Sequence, residues 1–107
     1  DMTEFDPEKF EEKYVHYFDE LETAYSNAYN QLHGRYDSEV LRAIDRKVLN
    51  ESEPVYEGNG EFRVVLPDDI GERAESLPGS DEQFHTVLEA FTDRIEQELR
   101  STFGFED

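Results

Sequence analysis

Between Pro7 and His33 the chain sets Phe10, Tyr14, Tyr17, Phe18, Leu21, Tyr25, Ala28, Tyr29 and Leu32 at spacings of three and four, the pattern of a helix with one apolar face. Asp6 before Pro7 reads as an N-cap, with proline at the first helical position where its missing N–H costs nothing. His33-Gly34 reads as the end, with glycine supplying a left-handed C-cap and His33 complementing the helix dipole. The spacing predicts one helix over 7–33, about 40 Å long, with an apolar arc about 140° wide. A compact chain of 107 residues has a radius of gyration of only about 13 Å. Such a helix must find an equally long partner or project from the body.

The last third supplies that partner. Ser80 and Gln83 form a capping box, followed by an apolar stripe of Phe84, Val87, Leu88, Phe91, Ile95, Leu99 and Thr102. The two long helices are expected to pack antiparallel. Phe103 and Phe105 are expected to tuck back onto the body. Asp37 or Ser38 can cap a shorter helix with Val40, Leu41, Ile44, Val48 and Leu49 inside, ending near Asn50. After a break at 51–54, residues 55–57 and 61–66 flank Gly58-Asn59-Gly60 and predict a β-hairpin. Pro67 through Ala74 predict a short helical turn, and Leu77-Pro78-Gly79 a loop. The expected fold class is α+β and mostly helical, two long amphipathic helices plus a shorter helix and one hairpin in the order α-α-β-β-α, as one domain over 1–107. A lone hairpin is marginal in water and must lie on a helix or join another sheet. One helix and a small hairpin leave part of the wide tyrosine-rich arc uncovered, which predicts a homodimer.

Composition describes the solvent better than the task. Twenty-eight Asp and Glu face ten Lys and Arg, for a net charge of −18, and the acidic excess is spread along the chain. Dispersed carboxylates keep a protein soluble where salt screens the repulsion that prevents association. With lysine scarcer than arginine and no Cys or Trp, the reading is a salt-adapted, cytoplasmic protein. The absence of cysteine excludes a disulfide framework, a thiolate zinc site and a Cys nucleophile. No apolar run approaches the roughly 18 residues of a membrane span, and no signal-peptide pattern is present. Met2, behind Asp1, is expected to be the natural start.

The run from Gly34 to Asn50, GRYDSEVLRAIDRKVLN, continuing through the hairpin to Pro67, together with the opening Met2-Thr3-Glu4-Phe5-Asp6-Pro7, resembles a family of small haloarchaeal proteins known only as a domain of unknown function. The resemblance covers nearly the whole chain. It implies salt adaptation and carries no activity or catalytic residue.

The same run is the least acidic part of the chain. Over residues 35–50, Arg35, Arg42, Arg46 and Lys47 face Asp37, Glu39 and Asp45, a local net of +1. Arg42 and Arg46 are four apart and share a helix face, a pair of forks for phosphate or for a partner's carboxylates. The plainer alternative is that these arginines bridge to neighbouring carboxylates. A helix bearing arginines before a Gly-tipped hairpin also suggests the recognition helix and wing of a nucleic-acid binder, although the three-helix arrangement of a helix-turn-helix is missing. His16 lies between Glu12 and Glu20 on the polar face, and Glu82 with His85 forms an i, i+3 pair, donor types that can hold a divalent metal. Neither has a second set of ligands, and no metal or other cofactor is expected. There is no G-x-S-x-G elbow, P-loop or G-x-G-x-x-G, and no catalytic residue is assigned. Tyr14, Tyr17, Tyr25 and Tyr29 are core or, where one edge stays wet, a dimer seam. The functional expectation is a non-catalytic protein-interaction module that binds an acidic protein through Arg35, Arg42, Arg46 and Lys47. Nucleic-acid binding through the Arg42/Arg46 helix and the hairpin tip is the alternative.

Overall fold

A computed structural model of the chain describes residues 4–105; the expected start at Met2 lies outside them. The elements are α1 (Pro7–Phe10), α2 (Lys13–His16), α3 (Phe18–Leu32), α4 (Ser38–Lys47), a 3-10 turn (Leu49–Glu51), β1 (Glu53–Gly58), β2 (Glu61–Val65), α5 (Ile70–Glu75) and α6 (Asp81–Thr102). This is the α+β order expected, mostly helical with one antiparallel hairpin.

The helix starts follow local chemistry. Asp6 accepts from the Glu8 N–H, Asp37 from Glu39 and Val40, and Ser80 from Gln83, each satisfying N–H groups that have no partner within the helix. α3 and α6 pack antiparallel. Tyr17 meets Phe103 at one end, Asn27 and Gln31 reach Glu98 midway, and Tyr29 lies on Phe91. α4 lies across this pair, and the largest fully buried side chains (Leu41, Ile44, Val48, Leu49, Val87, Phe91, Ile95 and Leu99) come from α4, its following turn and α6, while α3 buries Ala24 and Ala28 completely.

The single helix expected over 7–33 is instead three helices. It breaks at Glu12 (φ −118, ψ 48) and Tyr17 (φ −131, ψ 26). Tyr17 is level with the end of α6, so a straight helix would carry Phe10 about 10 Å beyond it, at 1.5 Å per residue. The breaks fold the chain back over that end. There Phe5 lies with its ring centroid 4.8 Å from Tyr56 and Phe103 and 5.4–5.5 Å from Phe10, Phe62 and Phe105. The Tyr17 hydroxyl holds the fold-back, accepting from the Asp6 N–H at 3.0 Å and donating to the Glu4 carbonyl at 3.4 Å. Phe103 and Phe105 do tuck back, as expected.

Two of the expected core positions change sides. Tyr14 and Phe18 are 55% and 54% exposed, while Lys13 is buried. The Lys13 ammonium pairs with Glu53 Oε2 at 3.0 Å and lies 5.1 Å from the Phe10 ring centre, so its charge is met by a carboxylate and by an aromatic face.

The hairpin starts earlier than expected, with Glu53 opposite Val65 and Pro54 opposite Val64. A two-stranded sheet has only edges, where proline is tolerated. β2 rests on α6, and the Val64 N–H donates to Glu96 Oε2 at 2.9 Å, so a helix carboxylate occupies the outer edge of the strand. Asn59 and Gly60, with φ of 55° and 75°, make the reversal with positive φ at both central residues. A Cβ on Gly60 would sit 2.8 Å from Phe105 Cδ1, whereas one on Gly34 (φ 91°) would meet nothing within 4 Å.

These two glycines separate backbone strain from packing. Gly34→Ala is expected to cost about 1–2 kcal/mol from the left-handed conformation alone. Gly60→Ala carries that cost plus about 1–3 kcal/mol of overpacking. Urea midpoints of the two variants should therefore fall in that order.

Candidate functional site

α4 buries Val40, Leu41 and Ile44, and that choice divides its outer surface in two. One side carries Arg42, Arg46 and Lys47, which line a hollow of about 500 Å³ closed by Glu39 and by Glu75 to Pro78. The other side carries Asp45.

Of the ten Lys and Arg, five pair with a carboxylate and five make no ion pair with a described residue, exposed Lys9 on α1 being one of the latter. Lys13, Arg63, Arg73, Arg94 and Arg100 each pair with a carboxylate. Arg73 does most: it holds Asp69 at 2.6 Å, Glu51 at 3.2 Å and the Lys47 carbonyl at 2.9 Å, fastening α5 to the turn after α4. Its guanidinium lowers the Asp69 pKa through their hydrogen bond, and its own pKa is raised in return. By contrast, the side chains of Arg35, Arg42, Arg46 and Lys47 make no ion pair with any described residue, and all four are exposed. Arg42, Arg46 and Lys47 share one hollow. Arg35 lines another, of about 220 Å³, with Leu32, Tyr36 and the α6 residues Asp93 and Arg94. The four residues singled out by sequence thus resolve into a set of three and a neighbour.

On the Asp45 side is a cleft of about 350 Å³ that sequence reasoning did not assemble. Tyr14, Phe18, Tyr25, Leu49 and Pro54 form its apolar walls, and Glu22 and Asp45 bring carboxylates; no Lys or Arg lines it. Its floor is hydrogen-bonded. The Ser52 hydroxyl donates to the Leu49 carbonyl at 2.7 Å, so its single proton is used and Tyr25 must be the donor in the 3.0 Å contact between the two hydroxyls. Burial pushes the Tyr25 phenol up to about 12, which keeps that donor protonated. Burial also raises the Asp45 carboxyl above its usual range, with Arg46 opposing. Aromatic walls with carboxylates suit a cation, since ring faces and anions both attract positive charge. One sequence signal did point here: the arc on residues 10–32 was wider than one helix could cover. Of its tyrosines, Tyr17 is buried, Tyr25 and Tyr29 are half-buried, and Tyr14 is exposed.

Elsewhere, His16 Nε2 lies 3.5 Å from Glu12 Oε1. Among the described residues no group of three or more His, Cys, Asp or Glu could hold a metal ion. At the hairpin, Arg63 pairs with Glu57 at 2.6 Å, and Arg100 bonds the Gly60 carbonyl, Glu61 and the Phe105 carbonyl. No described helix is long and apolar enough to cross a membrane.

Residues 2–106 match a protein family described only as a family of unknown function, DUF5783. No curated protein and no solved structure matches the chain.

Because its carboxyl is raised by burial, Asp45 favours the folded state while protonated, and that contribution is lost as pH rises through its folded pKa. Asp45→Asn keeps the neutral form at every pH. Its urea midpoint should exceed that of the parent at pH 7, and the gap should close as pH falls through the carboxylate range. Glu89→Gln, on an exposed mid-helix position of α6, removes the same charge and controls for general repulsion.

Proposed function

This chain belongs to DUF5783, a family of unknown function, and we propose that it is a salt-adapted, cytosolic, non-catalytic interaction module that works as a homodimer and meets an acidic protein surface through Arg42, Arg46 and Lys47. The observation that carries this reading is the clustering of three unpaired cations in a chain with 28 carboxylate residues. These three side chains share one hollow and make no ion pair there, although Glu39 and Glu75 line it too. Guanidinium groups are weakly hydrated and present a planar fork, so they give up water for a partner's carboxylate more readily than ammonium groups do.

High salt favours this contact over longer-range attraction. At 1 M ionic strength the Debye length is about 3 Å, so steering is lost while touching, hydrogen-bonded pairs persist. The same screening removes most of the counterion-release term that drives nucleic-acid binding. The hairpin adds little to a nucleic-acid surface, because the arginines nearest its tip, Arg63 and Arg100, are already engaged by Glu57 and Glu61.

The test is affinity purification of the tagged chain from its native lysate in molar KCl, with and without nuclease, beside the R42E/R46E variant. We expect a nuclease-resistant acidic protein that the variant fails to retain. Equal retention by the variant would remove the α4 face from the reading, and nuclease-sensitive retention would transfer it to nucleic acid.

A further inference from the structure

We infer that the acidic surface met by α4 is the aromatic cleft of a second copy of this chain, with Arg42 and Arg46 of each protomer seated against Tyr14, Phe18, Glu22 and Asp45 of the other. The inference rests on the interaction reading above and names the partner of that same face.

Three observations support it independently. The first is chemical complementarity: one side of α4 offers three cations without an ion pair, and the cleft is lined by two carboxylates and aromatic rings and by no Lys or Arg, with the Lys13 ammonium 5.6 Å from the Tyr14 ring centre. Arginine suits such a cleft because its plane stacks on rings while its edge bonds carboxylates. The second is placement. A twofold interface needs both complementary patches on one continuous surface, so that residue i meets j and j meets i. The two patches here adjoin across a single helix, with Asp45 and Arg46 next to each other in sequence. Two α4 helices crossing at a twofold axis would lay the basic side of each on the cleft of the other. The third is apolar exposure: Tyr14, Val15 and Phe18 are the large hydrophobic side chains left exposed among the described residues, and Tyr14 and Phe18 form the cleft wall.

Sedimentation equilibrium of the full chain and two charge-reversed variants in KCl tests this. The parent should be dimeric at micromolar concentration. R42E/R46E sets acid against acid in both seams, E22R/D45R sets base against base, and each should weaken the dimer by at least about a hundredfold. Mixed one to one they are complementary in both seams, and the heterodimer should form. A monomeric parent, an R42E/R46E variant that remains dimeric, or a mixture that stays monomeric would each overturn the inference. Dimeric R42E/R46E that has also lost the captured acidic protein would overturn self-docking while leaving the interaction reading intact. Should E22R/D45R fail to fold by circular dichroism, the cysteine-free chain offers a second measurement. Single variants Arg46→Cys and Glu22→Cys, mixed and oxidised, should form the crossed 22–46 disulfide in preference to like-with-like pairs; the reverse preference would overturn the inference.

Discussion

The structure depends on the gathering of rings around Phe5. Residues from the N-terminal segment (Phe5, Phe10, Tyr17), the hairpin (Tyr56, Phe62) and the C-terminal end (Phe103, Phe105) converge there. Burying one such side chain contributes about 1.5–3 kcal/mol, and a well-placed aromatic pair adds about 0.5–1.5 kcal/mol. A hairpin of two strands has no such resource of its own and is stable only where something covers it. The cluster provides the cover, and it fastens both ends of the chain to β1 and β2.

That gathering sets the shape of the first helical stretch. Phe5 and Phe10 reach the cluster only if the chain turns back near Glu12 and Tyr17. Each break leaves helix-end groups to be satisfied, yet the return is the burial of Phe10 and the packing of Phe5 on six rings. The turn re-aims what lies between. Lys13 is drawn inside against Glu53, while Tyr14 and Phe18 are left half in water. The cleft beside α4 is therefore a consequence of how the N-terminal segment closes the hairpin end of the molecule.

Sequence reasoning reached what local chemistry controls. The caps at Asp6, Asp37 and Ser80, the Asn59-Gly60 reversal and the stripes of α4 and α6 each depend on a few neighbouring residues, and each stands where the pattern put it. The breaks at Glu12 and Tyr17 could not be read, because no Gly or Pro marks them. They answer to Phe62 and Phe103, far along the chain. Tyr14 and Phe18 were misplaced for the same reason, since a continuous 3.6-residue period extrapolates them into the core. That Arg42 and Arg46 share a helix face was legible from their i, i+4 spacing, and Lys47 from the local charge of the run. The separation of these three from Arg35, and their lack of internal ion pairs, required knowing where α5 and α6 place their carboxylates.

Charge in this chain is arranged by distance of action. The general acidic excess makes a solvated surface whose long-range field is screened within about 3 Å at 1 M salt. What remains are contacts, and the internal ones are spent on fastening: Arg73 on the turn after α4, Arg100 on the hairpin tip, and Arg94 on a Glu98 that also accepts from Asn27 and Gln31. Each of those arginines reaches a second element or completes a network that does. Arg42 and Arg46 make no ion pair with a described residue, although Glu39 and Glu75 line the same hollow. Arginines fastening this fold are consumed by it. Under the proposed interaction, Arg42 and Arg46 make their contacts outside the protomer, at a range where salt does not interfere.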